Sequence, residues 1–209
     1  LTSTQEGVVA TPACVSREDS LPLAINVQVT SEPVTLDHGL SGWELGRLFA
    51  QPGGVCAGGV QFIFNTTMTF SYLTPPPGFG DGVCFQVNSV DVVFHYAAVT
   101  IYIAKEYEEG SCEYQAILAH EQEHIRLHNE IVEKHVDKIK AVLSSIPFLP
   151  AQNRTLLVAS KERGKRMIGN LLRRIFLPLS RKLGDALENR NRALDTRAGY
   201  DLVRARCAS

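Results

Sequence analysis

No stretch of this 209-residue sequence approaches the ~20 consecutive apolar residues of a membrane-spanning helix. The most apolar one, Val90 to Ala104, contains Asp91 and His95 and alternates like a strand. No two of the five cysteines form a CxxC pair, which excludes a zinc knuckle. There is no internal repeat, and the net charge is only −1. There is no initial methionine either. The sequence begins at Leu1, which reads as a trimmed N-terminus, so any export signal would lie outside it. Apolar residues, by contrast, are plentiful. At 44% hydrophobic, 8% aromatic and 21% charged, the composition excludes disorder and suits one compact domain with a sizeable core.

The small net charge hides an asymmetry. Residues 1–150 carry 7 Lys and Arg against 17 Asp and Glu, whereas residues 151–209 carry 14 against 5. A basic C-terminal part could meet nucleic acid or an anionic membrane. Its basic residues are spread among apolar ones at helical spacing, which is the pattern of solvated helix faces, so no nucleic acid is expected. Residues 1–150 read as a sheet with a helix behind it. Residues 151–209 read as a helical part packing on that core rather than an independent domain.

The cysteines are Cys14, Cys56, Cys84, Cys112 and Cys207. Cys84 and Cys112 bracket the last strands before the long helix and make the first expected disulfide; Cys14–Cys56 is the second. That leaves Cys207 odd. Bridges favour an oxidising, exported compartment; the plain alternative is five inert thiols.

Periodicity gives the elements. "LAINVQV" (Leu23 to Val29) alternates as a strand, broken by Pro33 and Asp37-His38-Gly39. "SGWELGRLF" has Ser41 and Glu44 at capping-box spacing and reads as a short helix. In "VQFIFNTTMTFSY", Val60, Phe62, Phe64, Met68, Phe70 and Tyr72 share one parity, which predicts a sheet with one buried face, as one long strand or a hairpin. "TPPPGFGDG" is a loop. Two further strands are expected, Val83 to Val93 and Tyr96 to Ala104. Helices are expected from Cys112 to about Ser145, from Ala151 to Phe176 and from Ser180 to about Ala205, with a break near Pro178. Strands followed by helices make the fold class α+β.

The first of those helices holds "ILAHEQEHIRLHNEIVEKH" (Ile117 to His135). On a wheel at ~100° per residue, His120, His124, His128, His135 and Glu121 fall on the same arc as Ile117, Val132 and Ile139. Gln122, Glu123, Arg126, Glu133 and Lys134 fall outside it. A charged Glu on a core face is costly unless it is paired or used. His120 and His124, at i and i+4, can hold one Zn²⁺, with Glu121 beside them as a general base for a metal-activated water. Ala119, being small, would let the helix pack closely beneath the site. The alternative is a hydrogen-bonded core network of buried histidines and Glu121.

His128 lies ~12 Å along the axis from His120, too far to share its metal in an unbroken helix. His128 and His135 therefore read as core-facing neighbours, and His95 as a satisfied sheet residue. The third ligand should come from a later helix. Asp195, in the distinctive "ALDTRAGYD", is preferred over Glu162 and Glu188.

"CEYQAILAHEQEH", opening a long helix after the Cys84 strand, resembles the zincin-type metallopeptidases. It looks most like bacterial predicted secreted zinc-dependent proteases. The resemblance implies a zincin-like fold, zinc held by His120 and His124, Glu121 as the base, a peptide or protein substrate, and export to the periplasm or outside. It also implies an Asp-Thr-Gly-like segment near the C-terminus; "LDTRAG" departs from it, with no histidine before Gly199. Zincins bind substrate as a strand added to a sheet edge, for which "AAVTIYIA" (Ala97 to Ala104) is a candidate. The rival classes are a non-catalytic envelope or binding protein on such a fold, and a metal-binding protein without hydrolysis.

Overall fold

The computed structural model describes residues 14, 23–50, 53–74, 82–146, 149, 155–196 and 207. Its elements are β1 (Ala24–Ser31), β2 (Val34–Asp37), α1 (Gly42–Leu48), β3 (Gly58–Leu73), β4 (Val83–Ile103), α2 (Cys112–Ser144), β5 (Leu156–Val158) and α3 (Lys161–Leu194). The class is α+β. β1, β2, β3 and β5 all pair with β4.

Two compact units share the chain. The first takes residues 1–26, 69–91 and 143–175. In it β5 runs antiparallel to the start of β4, with Cys84 opposite Leu157. Tyr72 stacks on Phe85 at 4.5 Å, and Lys165 lies over the Tyr72 ring. A disulfide joins Cys14 to Cys84.

The second unit takes residues 27–68, 92–142 and 176–209. In it β2 runs parallel to β4, from Val34 opposite Val99 to Asp37 opposite Tyr102. Ile101 and Ile103 of β4 pack on Tyr114 and Ile117 of α2, with Val60, Leu118 and Ile125 around them. Burying each such side chain contributes about 1.5–3 kcal/mol. α1 starts at a capping box: Ser41 Oγ accepts from the Glu44 N–H, and the Glu44 carboxylate accepts from the Ser41 N–H at 2.7 Å. α2 is capped by Ser111, whose Oγ accepts from the Tyr114 N–H at 3.1 Å. A disulfide joins Cys112, at its first turn, to Cys207.

Several expectations need correction. The expected Cys84–Cys112 and Cys14–Cys56 bridges do not form; the pairs are Cys14–Cys84 and Cys112–Cys207, each within one unit. The free thiol is therefore Cys56, buried with Leu45 and Ala104, its S–H donating to the Gly58 carbonyl at 2.7 Å. β3 is one strand of 16 residues with the expected parity half-buried. β4 is also one strand, of 21 residues, where two were expected. Cys84–Val87 are all buried, and the alternation that follows changes parity at Ala97–Ala98, which breaks the period without breaking the strand. β2 follows Pro33 where only a break was expected. The helices expected at 151–176 and 180–205 are one helix, α3, which starts at Lys161, continues through Pro178 and ends at Leu194. Ser160 caps its start, and β5 occupies part of the span expected to be helical. The loop 75–81 and residues 197–201, including Gly199, lie outside the described residues.

Candidate metal centre

α2 carries His120, Glu121 and His124 on the face that Ile117, Leu127 and Val132 bury. The opposing residues come from the end of α3. Asp195 follows the last helical residue, and its N–H still donates to the Asn191 carbonyl at 2.9 Å, extending the helical pattern by one step. This brings Asn191 and Asp195 to the two histidines. Asp195 Oδ1 lies 3.3 Å from His120 Nε2 and 2.9 Å from His124 Nε2. On its other side the His124 ring bonds through Nδ1 to Asn191 Oδ1, at 3.2 Å.

One nitrogen from each histidine and one oxygen of Asp195 lie within 4.8 Å of one another, so the group could hold a metal ion. Donors of a tetrahedral site with ~2.1 Å bonds lie ~3.4 Å apart, which the 3.3 Å spacing to His120 matches and the 2.9 Å spacing to His124 falls short of. Two nitrogens and one carboxylate are three donors, one fewer than a tetrahedral ion takes. The donor set therefore fits a divalent cation such as zinc.

The charges in the group are strongly coupled. Burial raises the Glu121 carboxyl to about 7, against the pull of His124 and His120, with Asp195 adding to the rise. Burial would lower His124, but the Asp195 carboxylate outweighs it and the net shift is upward. Burial would raise Asp195, yet hydrogen bonds from His120 and His124 hold it well below the usual carboxylate range.

A cavity of about 240 Å³ opens on this group. Glu121, His124, Asn191 and Asp195 form its polar wall; Phe49, Val60 and Phe62 form the apolar one. The start of β3 forms the rest, and glycine is required there. A Cβ on Gly58 would lie 2.6 Å from Ile117 Cγ2 and 3.0 Å from Glu121 Oε1. One on Gly59 would lie 2.5 Å from the Phe49 ring. The bare strand backbone thus lies against the base candidate itself.

The other sequence candidates fall elsewhere. His128 is buried, bonded through Nδ1 to the Tyr96 hydroxyl at 2.7 Å and stacked on Phe62 at 4.1 Å. His135 bonds to the Ile131 carbonyl, and His95 to Thr30 Oγ1. Glu188 pairs with Arg192 at the surface, and Glu162 stands exposed in the first turn of α3. Ala119 is exposed, so it does not let the helix pack beneath the site. The Ala97–Ala104 segment is not a free edge, because β2 pairs with its Val99–Tyr102. Sequence reasoning passed over Asn191, although it sits one helical turn before Asp195 and so shares its face. It also passed over Phe49, for which no sequence signal exists.

No protein family, curated protein or solved structure matches the chain.

Proposed function

We propose that this protein is a zinc-dependent peptidase of zincin-like type, acting in an exported, oxidising compartment. The observation that carries the reading is the Glu121 carboxyl. It is 2% exposed, lines the cavity, and stands next to two histidines that share one carboxylate oxygen. A carboxyl in such a place needs a use or a counter-charge, and a divalent cation beside it supplies both.

His120, His124 and Asp195 would hold Zn²⁺. When bound there, the ion would polarise a substrate carbonyl and lower the pKa of a water. The chain's own residues do the rest. Glu121 accepts the proton of the attacking water and returns it to the leaving amine. The bond of His124 Nδ1 to Asn191 Oδ1 keeps that ring oriented. Among the described residues β3 pairs only with β4, and its Gly58–Val60 backbone lines the cavity, so a peptide has a strand to lie along. Two disulfides, and no described helix long and apolar enough to cross a membrane, support the exported setting.

The test uses protein purified without a histidine tag. Zinc content measured by plasma emission should be near-stoichiometric, and a broad peptide library should be cleaved by the wild type. Zinc without cleavage would instead make this a metal-binding protein without hydrolysis. Absence of zinc from protein refolded in its presence would end the metal reading.

A further inference from the structure

We propose that Asn191 is the positioning residue that makes His124 a metal ligand. Its side-chain oxygen holds the hydrogen on Nδ1 of the imidazole, so that Nε2 turns its lone pair to the cation shared with His120 and Asp195. The proposal rests on the metal-site reading above and adds to it the device that sets the donor.

Both nitrogens of the His124 ring are engaged, Nδ1 with Asn191 Oδ1 at 3.2 Å and Nε2 with Asp195 Oδ1 at 2.9 Å. An amide oxygen only accepts, so the hydrogen of a neutral ring belongs on Nδ1. Nε2 and the Asp195 oxygen are then two lone-pair bearers face to face. That arrangement is stable only with a cation between them or a proton on the nitrogen. The outer hydrogen bond of a metal-bound histidine fixes its tautomer in this way and raises its basicity.

The backbone joins the two tasks. The Asn191 carbonyl accepts the Asp195 N–H at 2.9 Å, so the residue that orients His124 also fixes the carboxylate facing it. Asn191 is half-buried and lines the same cavity as Glu121 and Asp195. Its neutral amide suits that place. Two carboxylates already balance a divalent cation, and the amide orients the ring without adding a third negative charge.

The test takes the full chain, stripped with EDTA and titrated with zinc against a competing chelator. Asn191→Leu, which removes the acceptor, should weaken zinc binding ~10–100-fold. Asn191→Asp, which keeps it, should bind at least as tightly as wild type. Nitrogen-15 imidazole spectra of the zinc-loaded protein should show a hydrogen-bonded, slowly exchanging Nδ1–H on His124 in wild type and Asn191→Asp, and its fast exchange with water in Asn191→Leu. A merely structural role would not move that signature. If Asn191→Leu does not fold, Asn191→Ala replaces it in both measurements. Equal zinc affinity in wild type and the acceptor-less variant overturns the proposal, as does an unchanged Nδ1–H exchange or an Asn191→Asp as weak as Asn191→Leu. A wild type that takes up no zinc is a separate result: it removes the metal-site reading itself.

Discussion

One turn of α2 separates His124 from His128; both are buried, and both belong to the same unit. Their surroundings differ completely. His124 faces Asp195, Asn191 and the neighbouring Glu121 across a cavity. His128 faces Tyr96, Phe62 and Phe64, with a polar bond to the Tyr96 hydroxyl. The carboxylate raises the proton affinity of the first, and burial among rings lowers that of the second to about 4. The helix supplies identical side chains at equivalent positions. The partner segment decides which becomes a candidate donor and which a sealed core group.

The comparison breaks most visibly in metal content. His120→Ala and His124→Ala should each reduce bound zinc from near-stoichiometric to background by plasma emission, while His128→Gln leaves it unchanged. Zinc loss in the His128 variant would mean that the two positions are not distinct. Glu121→Gln should keep its zinc and lose peptide hydrolysis by ~10²–10⁴-fold, the usual contribution of a general base, in a discontinuous cleavage assay.

The pH dependence of stability in the metal-free protein should separate the two clusters by sign. His128 titrates at about 4 when folded, against a reference value of 6.5. The folded state therefore binds fewer protons in that window, and stability is lost as pH falls from 6.5 towards 4, by about 3 kcal/mol in all. Glu121 runs the other way. Its folded value of about 7 exceeds its reference of 4.5, so its contribution is present at low pH and lost as pH rises through that window. Urea unfolding at a series of pH values should show His128→Gln less acid-sensitive than wild type and Glu121→Gln more so. Parallel curves for the two variants would contradict the opposed environments.

Tyr96→Phe leaves the buried His128 without that partner and should cost about 1–3 kcal/mol in urea unfolding, with zinc affinity unchanged. Arg192→Ala, which removes the exposed pair with Glu188 one residue from Asn191, should change stability by less than ~0.5 kcal/mol. A larger effect would show that the end of α3 is less independent of surface charge than its exposure implies.

What was legible in the sequence followed from period. α2 and its buried face were readable because Ile117, His124, Val132 and Ile139 recur at helical spacing, and β3 because its inward residues alternate without a slip. Two kinds of element escaped. β2 is exposed over Val34–Leu36 and is held by backbone pairing with β4, so its side chains carry no signal of the strand. β4 changes inward parity at Ala97–Ala98, so a period-two reading splits it. Pro178 likewise splits α3 on paper, whereas in the fold the helix continues. In the site, His120, Glu121 and His124 lie within one motif. Asp195 could be named only as one of several acids, because which acid meets them depends on where α3 ends, and that is set by packing.

The Cys112–Cys207 bridge spans 95 residues and encloses His120, His124 and Asp195 between its ends. Closing a ring of ~100 residues removes about 4–5 kcal/mol of unfolded-chain entropy in the chain-entropy account. Even before folding, then, the oxidised chain keeps the histidine segment and the aspartate segment on one closed circuit, at a raised effective concentration for each other. Reduction opens that circuit, so metal capture by the refolding chain should depend on thiol oxidation as well as on metal supply.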